Sequence, residues 1–400
     1  MIQVYSEALK KTISVDRLIA NIQGTSDGPT VVFFSGIHGN EPAGVFALEE
    51  SLRKIKPEDV RGSIYGVSGN LKALRQKQRY IDEDLNRIWT EHNLNKLERK
   101  EKLNNEEHEQ LELYVFLKEI LNKGKPPYYF IDLHTTSSKT VPFITINDAL
   151  INRRFSNQFP IPTVLGIEEY LNGPLLSYIN SLGYVSLGFE SGQHDEIKAI
   201  SNSISFIYLT LVFTKIMGRD DVPSFLEHFK TLESESKSIR GVFEVIYLHK
   251  IMEQQPFKML NGFENFQSVK KGKPLALSNN ETLCSKYNAQ IFMPLYQPQG
   301  QEGFFIIRKI KPFFLKLSTT LRQFKMDELL IILPGVSWED SKKQVLTVNL
   351  NTARFLVKPL FHLFGYRNKQ IDKTHLKLYN RERTAKTKMY AKEVWYKTPV

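Results

Sequence analysis

An apolar strand that ends in a polar turn sets strong limits on how this chain folds. Residues 31–34 are all apolar, and the turn at residues 36–42 follows almost at once with a histidine and a glutamate three positions apart. A second strand-like run, residues 130–133, leads into another histidine. Two histidines and one glutamate at strand ends can hold zinc and leave a fourth position open, the pattern of a catalytic site. The predicted ligands of one zinc ion per chain are His38, Glu41 and His134.

Strands and helices alternate over the first half of the chain. The predicted strands are residues 30–35, 62–67, 128–133, 142–146 and 184–189. The predicted helices are residues 42–54, 94–122 and a segment that ends near residue 217. This alternation indicates an α/β fold with a mixed, mainly parallel sheet flanked by helices. Such sheets place their ligands at the carboxyl ends of the strands. The charged run at residues 96–109 is expected to form a solvated helix face.

The pattern changes after residue 236. Short β-like runs and glycine-containing turns replace the alternation, which predicts a small β domain over residues 237–310. We therefore expect three parts: a zinc hydrolase catalytic domain at residues 1–236, this β domain, and a basic C-terminal extension at residues 311–400. The sequence does not indicate the role of the extension.

Charge and cysteine content limit the possible functions. The net charge is +11, but residues 361–400 hold ten Lys/Arg and three Asp/Glu, so the rest of the chain carries only +4. We expect the basic segment to form a solvated surface, and binding to nucleic acid or anionic lipid is the less favoured alternative. The single cysteine, Cys284, excludes an intrachain disulfide and fits a reducing compartment. The sequence has no uninterrupted apolar run of about 18 residues, so we predict no membrane-spanning helix. The first residues do not resemble a signal peptide, so we expect a cytoplasmic protein.

Two further segments supply groups that amide hydrolysis needs. Glu190 ends an apolar strand inside a glycine-flanked turn, which suits a general acid/base. Arg79 is the candidate cation for the negative charge that develops on a carbonyl oxygen. Asn86 and Arg87 are adjacent and offer an amide donor and a planar fork, which suit a substrate carboxylate.

Each of these groups has a simpler interpretation when it is taken alone. A single strand-end histidine is more often a hydrogen-bonded structural residue than a metal ligand. Arg79 and Arg87 can pair with the acidic residues at 82–84, and Asn86 can cap a turn. Because His38, Glu41, His134 and Glu190 all lie at strand ends, we favour the interpretation that they form a metal site. The sequence leaves open whether His194 or Tyr296 joins the site.

Taken together, these segments resemble a known enzyme family. The segments that carry the resemblance are residues 36–44, 69–70, 79–87, 132–134 and 189–192. They are similar to the succinylglutamate desuccinylase/aspartoacylase family, which belongs to the zinc carboxypeptidase-like peptidases. The resemblance spans roughly residues 25–310 and implies a zinc-carboxypeptidase-like sheet with a smaller C-terminal β domain. The roles it implies are zinc ligation by His38, Glu41 and His134, carbonyl polarisation by Arg79, carboxylate binding by Asn86 and Arg87, and acid/base catalysis by Glu190.

The resemblance implies a zinc-dependent deacylase that cleaves the amide bond of an N-acyl amino acid or a similar small carboxylate. One departure bears on the substrate. Residues 169–176 lack the arginine with which aspartoacylase, together with a tyrosine, holds its substrate, and this argues against N-acetylaspartate. The alternatives are a carboxypeptidase acting on peptide or protein tails and a metal-binding protein without turnover. We expect a small-molecule substrate and do not expect nucleic acid as a partner. The sequence leaves open whether the chain forms a homo-oligomer.

Overall fold

The computed structural model describes residues 1–99, 102–252, 255–339, 341, 343–352, 357–370 and 375–397 of the chain. The strands are β1 Ile2–Ser6, β2 Lys11–Val15, β3 Leu18–Gln23, β4 Ser26–Ser35, β5 Arg61–Ser68, β6 Tyr128–Thr136, β7 Phe143–Ile146, β8 Thr163–Leu165, β9 Val185–Gln193, β10 Val242–Lys250, β11 Phe257–Met259, β12 Ser268–Val269, β13 Pro274–Ser278, β14 Glu281–Cys284, β15 Ala289–Phe292, β16 Glu302–Lys309, β17 Val336–Trp338, β18 Val345–Asn349, β19 Tyr366–Gln370 and β20 His375–Asn380. The α-helices are α1 Ala43–Leu52, α2 Leu71–Gln76, α3 Glu91–Glu98, α4 Asn105–Lys123, α5 Leu150–Ser156, α6 Leu175–Ser181, α7 Ile197–Phe213, α8 Phe225–Glu235, α9 Pro312–Gln323, α10 Val357–Leu363, α11 Arg381–Thr384, α12 Thr387–Tyr390 and α13 Val394–Lys397. Short 3-10 helices lie at Pro57–Asp59, Leu85–Arg87, Ile167–Glu169 and Met326–Ile332.

An eleven-stranded sheet forms the centre of the molecule. Its strand order is β12-β15-β16-β10-β8-β7-β9-β6-β4-β5-β3. Strands β5, β4, β6 and β9 run parallel to one another, and β7, β8 and β10 form a second parallel block. The two blocks meet at the antiparallel pair of β7 and β9. The predicted fold class, a mixed and mainly parallel sheet flanked by helices, is confirmed.

The apolar composition of the central strands follows from burial on both faces of the sheet. Along β4, Val31 and Phe33 pack into one core, which includes residues of α1 and α7. The alternate residues Val32 and Phe34 pack into a second core, with α4 and α6. Successive side chains of a strand point to opposite faces, so a doubly covered strand needs an unbroken apolar run. This is why residues 31–34 show no polar alternation.

Strands beyond residue 236 extend the same sheet. Strand β10 pairs parallel with β8 and antiparallel with β16, so main-chain hydrogen bonds join residues 237–310 to the first half of the chain. Strands β11, β13 and β14 form a separate three-stranded sheet. The division at residue 236 stays a prediction, as does the separate character of residues 311–400.

The C-terminal segment has a sheet of its own, β17-β18-β20-β19, over a small apolar core. It also contributes to the main core, where Tyr390 and Trp395 are buried against Tyr129. Among the helices of the described residues, none is long and apolar enough to cross a membrane.

The predicted single helix at residues 94–122 is wrong, because two helices occupy this region. Helix α3 ends at Glu98, and α4 begins after Asn104, whose side chain accepts a hydrogen bond from the Glu107 amide. The Glu107 carboxylate in turn accepts from the Asn104 amide at 2.9 Å, which completes a capping box. The expectation of a solvated face is also wrong in part, since Glu106, Glu107 and Glu109 are buried.

Candidate active site

His38, Glu41 and His134 meet at the carboxyl ends of β4 and β6. The two oxygens of Glu41 lie 2.9 Å from Nδ1 of His38 and 3.1 Å from Nδ1 of His134. One candidate ligand atom from each residue lies within 4.8 Å of the other two, and all three residues are buried. The structure therefore brings together the three predicted ligands in a cluster small enough for one ion.

The remaining nitrogens of the two histidines face carboxylates. Nε2 of His38 lies 3.1 Å from Asp84, and Nε2 of His134 lies 2.7 Å from Asp132. A histidine whose second nitrogen faces a carboxylate has its ring fixed and its basicity raised, which is the usual arrangement of a metal-bound imidazole. The charges of this cluster perturb its members strongly. Burial would raise the pKa of Glu41, but His38 and His134 outweigh it and hold that pKa well below its usual value.

The turn that presents His38 depends on a close approach of two main chains. A Cβ on Gly39 would overlap the backbone of Ala73, so this position requires glycine. The Gly39 amide donates to the Arg79 carbonyl at 3.2 Å. Asn70 caps α2 through a 3.0 Å bond from the Ala73 amide. The motif at residues 69–70 therefore positions the histidine turn against the segment that starts at Arg79.

A buried carboxylate holds that segment in place. Glu106, at the start of α4, accepts hydrogen bonds from the amides of Ile81 at 2.7 Å, Asp82 at 2.9 Å and Glu83 at 3.2 Å. It also accepts from the side chain of Asn70 at 2.9 Å. Successive amides that point inward make a favourable site for a carboxylate. Glu106 thereby fixes the loop whose ends carry the candidate substrate-binding arginines.

Arg79 lies beside the histidine–glutamate cluster. Its Nη1 is 3.4 Å from Glu41, and its Nη2 is 2.9 Å from Asp84. Pairing with an acidic residue of the same loop was the alternative interpretation of Arg79, and the structure shows both the pairing and the proximity to the cluster. The guanidinium is nearly buried, with 10% of its side chain exposed. It lines the pocket and can donate to an anionic oxygen there.

Asn86 and Arg87 also line this pocket. The amide oxygen of Asn86 accepts from the Leu175 amide at 2.9 Å, so its NH2 group is left to donate elsewhere. Arg87 donates through Nε to Glu302 at 3.0 Å and through Nη1 to the Asn86 carbonyl at 2.7 Å. Glu302 begins β16, in the predicted β domain, and no local pattern in the sequence indicates this pairing.

Glu190 lies on β9 directly opposite His134 in the strand register. Its side chain is buried, and Oε2 has no hydrogen-bond partner among the described residues. Burial, assisted by the charges of Glu41 and Asp132, raises the pKa of Glu190 to about 8 against the opposing effect of His134. A carboxyl group with a raised pKa can both accept and donate a proton near neutral pH, and Glu190 lies beside the three side chains that could hold a metal ion.

One pocket of about 1030 Å³, its open mouth included, contains all seven predicted site residues. His194 lines it as well, with Nδ1 2.7 Å from the Thr135 hydroxyl and Nε2 2.9 Å from Gln297. Tyr296 does not join the lining: its hydroxyl donates to the Leu260 carbonyl at 2.8 Å.

The supporting roles of Asp84, Asp132, Glu106 and Glu302 were not identified from the sequence. Asp84 and Asp132 lie inside the recognised motifs, whereas Glu106 and Glu302 have no local signal, because their partners are distant in the chain.

Residues 27–204 match the family model described as the succinylglutamate desuccinylase/aspartoacylase catalytic domain. These residues belong to the succinylglutamate desuccinylase/aspartoacylase family. Aspartoacylase of Xenopus tropicalis is 26% identical over 297 residues, which cover 68% of this chain and 90% of the frog protein. Succinylglutamate desuccinylase of Pseudomonas aeruginosa is 27% identical over 119 residues, 29% of this chain and 34% of that relative. The match thus spans about a third of the bacterial enzyme.

Solved structures of the same family share the fold. The crystal structure of a succinylglutamate desuccinylase/aspartoacylase from Rhodobacter sphaeroides superposes with a TM-score of 0.56 at 14% identity, covering 77% of this chain and 94% of that one. Succinylglutamate desuccinylase from Vibrio cholerae gives a TM-score of 0.52 at 15% identity, with 77% and 90% covered. The motif-based resemblance to the succinylglutamate desuccinylase/aspartoacylase family is therefore confirmed, and the site described above lies inside its catalytic domain apart from the residues contributed by β16 and the preceding loop.

Proposed function

We propose that the protein is a zinc-dependent amidohydrolase that removes the acyl group from an N-acyl amino acid or a similar small carboxylate. The observation that carries this proposal is the position of Glu190. A buried carboxyl group with an unpartnered oxygen lines the same pocket as the His38–Glu41–His134 cluster. A metal site that served only for structure needs no such acid/base group and no open pocket.

The donor set fits zinc. Two imidazoles and one carboxylate form the cluster, and each imidazole is backed by an aspartate, which favours the ligand orientation that zinc requires. A zinc ion held by His38, Glu41 and His134 would supply a Lewis acid that activates water and polarises the amide carbonyl.

The protein side chains account for the rest of the reaction. Glu190 takes the proton from the attacking water and delivers it to the leaving nitrogen, so that the C–N bond breaks to give a free amine and a carboxylate. Arg79 donates to the carbonyl oxygen as negative charge develops on it. Asn86 and Arg87 hold the substrate carboxylate, which places the amide beside Glu190.

The similarity to named relatives supports a deacylase over the alternatives. Relatives similar to this chain are named succinylglutamate desuccinylase and aspartoacylase, and these names describe removal of an acyl group. The geometry of the pocket alone does not distinguish this activity from a carboxypeptidase, because the chemistry is the same. A substrate panel of N-acyl amino acids and short peptides with free carboxyl ends makes the distinction. Faster turnover of the peptides would favour the carboxypeptidase.

The test of the mechanism is the Glu190→Gln variant. It keeps the volume of the side chain and removes the proton shuttle, so kcat is expected to fall by roughly 10²- to 10⁴-fold with the metal still bound. Glu58→Gln, an exposed glutamate outside the pocket, serves as the matched control and keeps the wild-type rate. Full turnover by Glu190→Gln would contradict the mechanism. Bound zinc without turnover in the wild type, on every substrate of the panel, would favour the non-catalytic alternative.

A further inference from the structure

The pocket extends away from the metal cluster along a wall that carries no lysine or arginine among its described lining residues. This wall consists of the ends of β7 and β8, the loop after β8 and the start of α6. Its main members are Thr145, Ile146, Asn147, Ile167, Leu171 and Leu176, and it includes one acidic residue, Glu168. Hydroxyl, amide and aliphatic groups can accommodate a polar or apolar group, but neither they nor a carboxyl group can neutralise a negative charge.

The packing at the base of this wall depends on Gly188. Gly188 pairs with Thr145 and lies two residues before Glu190 on β9, so both residues belong to the same face of the sheet. A Cβ on Gly188 would overlap the Thr145 hydroxyl and come within 3.2 Å of a Leu176 methyl. The missing side chain therefore lets Thr145 and Leu176 approach β9 close to the acid/base group, which gives this end of the pocket an uncharged surface.

Three arginines lie close behind this wall, but acidic partners occupy them. Arg153 and Arg322 each donate to the buried carboxylate of Asp148 at 2.9 Å, and Arg367 pairs with it as well. Arg367 also pairs with Glu169 and lies 3.5 Å from Glu168. These charges are compensated within the cluster, so none is directed at a ligand.

The cations inside the pocket are also partly compensated. Arg79 pairs with Asp84 and Glu41, and Arg87 pairs with Glu302. Arg87 with Asn86 therefore offers one carboxylate-binding group. A second carboxylate on the substrate would face the carboxyl group of Glu168 and no lysine or arginine among the described residues of this wall. Burial of an unpaired negative charge there is strongly unfavourable.

We propose that this pocket selects an N-acyl amino acid with a single carboxylate, and that the group placed against the Thr145–Leu176 wall carries no negative charge. N-acetylaspartate, a dicarboxylate, and N-succinylglutamate, a tricarboxylate, are excluded by the cost of burying the additional negative charge. The inference rests on the proposed function and narrows its substrate class.

Isosteric substrate pairs test this selection directly. N-acetylasparagine and N-acetylaspartate, and likewise N-acetylglutamine and N-acetylglutamate, differ in one charge at nearly constant size. The amide member of each pair is expected to have a kcat/KM at least about tenfold higher, because only the acid member buries an unpaired charge. N-succinylglutamate should be a poorer substrate than either amide. Equal or better turnover of the dicarboxylates overturns the inference.

A charge placed on the wall should change the preference. Leu176→Arg is expected to shift the ratio of kcat/KM toward the dicarboxylate by at least about tenfold, since it supplies the missing cation. Leu176→Met keeps an apolar side chain of similar volume and retains the wild-type preference. Circular dichroism checks that both variants are folded. If Leu176→Arg does not fold, the isosteric pairs on the wild type still decide the question.

Calorimetric binding to Glu190→Gln separates this inference from the proposed function. If the wild type turns over no substrate but Glu190→Gln binds the amides more tightly than the acids, the selectivity is supported and the deacylase proposal fails. If acids are cleaved faster than amides, the deacylase stands and the selectivity is overturned. If Glu190→Gln binds none of the four ligands, the selectivity is overturned as well.

Discussion

The buried charge cluster behind the pocket leads to a prediction about stability. Arg322 belongs to α9 in the C-terminal segment, and its side chain is fully buried (0% exposed). Its guanidinium donates to the Asp148 carboxylate at 2.9 and 3.3 Å and to the Asp148 carbonyl at 3.1 Å. It also reaches Glu382 at 3.1 Å, and two main-chain carbonyls, of His362 and Leu363, at 2.8 and 3.1 Å. One side chain thus holds the C-terminal segment against the end of β7.

Replacement of Arg322 by methionine removes all of these donors at nearly constant volume. Asp148 keeps Arg153 and Arg367, and Glu382 keeps a 2.8 Å bond from the Leu150 amide, so both acids remain partly paired. The carbonyls of His362 and Leu363 keep the Gly365 amide at 3.1 Å and the Ser318 hydroxyl at 2.7 Å. The Asp148 carbonyl also loses the Arg322 donor, and a buried group left unsatisfied costs about 1–3 kcal/mol. Breaking a buried ion pair costs about 3–5 kcal/mol. We therefore expect Arg322→Met to lower the free energy of unfolding by about 3–5 kcal/mol.

Urea unfolding measures this loss, and an exposed ion pair supplies the control. Arg308 donates to Glu244 at 2.8 Å, but 64% of the arginine side chain is exposed. An exposed pair contributes about 0–1 kcal/mol, so Arg308→Met should be nearly neutral. Comparable slopes against urea would show that both variants unfold the same surface. Equal losses in the two variants would refute the view that Arg322 holds the segment in place.

Three further predictions concern the loop at residues 81–83, the substrate-binding Arg87 and the stability of the protein at acidic pH. Glu106→Ala removes the acceptor that holds the loop at residues 81–83, so we expect KM to rise more than kcat falls. Glu106→Gln should restore part of the substrate binding. An unchanged KM in steady-state kinetics would contradict this prediction. Glu302→Gln frees Arg87 from its competing carboxylate, so KM should fall several-fold, whereas a higher KM would mean that Glu302 orients the arginine. Burial would raise the pKa of Glu169, but Arg367 and His362 lower it from 4.5 to about 2. Because the folded-state pKa lies below the unfolded value, this stabilisation is present above pH 4.5 and is lost as the pH falls toward 2. Glu169→Gln should lose less stability than the wild type across this interval in acid titrations followed by circular dichroism.

The parts of this account that the sequence predicted are those encoded locally. Residues 31–34 indicate a strand covered on both faces, and the turn that follows brings His38 and Glu41 together within four residues. The partners that lie far away in the chain could not be predicted in this way. Glu106 lies in a highly charged run that is typical of a solvated helix. Its carboxylate is nevertheless buried and accepts hydrogen bonds from main-chain amides about 25 residues earlier in the chain. A charge pattern reports the average solvation of a face and does not show which charge has a partner.

The basic C-terminal segment illustrates the same limit. Its arginines suggested a solvated or polyanion-binding surface, and nothing in the local sequence pairs them with specific acids. In the structure, Arg322 and Arg367 are buried and bonded to Asp148 and Glu169, about 170 to 220 residues away. Net charge alone therefore overstated how much positive charge this segment presents to solvent.

Zinc content and turnover, followed on one preparation, test the zinc-dependent deacylase proposal. Both the zinc content and the turnover of N-acetylglutamine are determined before chelation, after chelation and after zinc is restored. We expect about one zinc per chain, loss of turnover together with the metal, and recovery of both on addition of zinc. We also expect His134→Ala to bind little zinc under the same conditions. Cleavage of the substrate at the full rate by metal-free protein would refute the proposal.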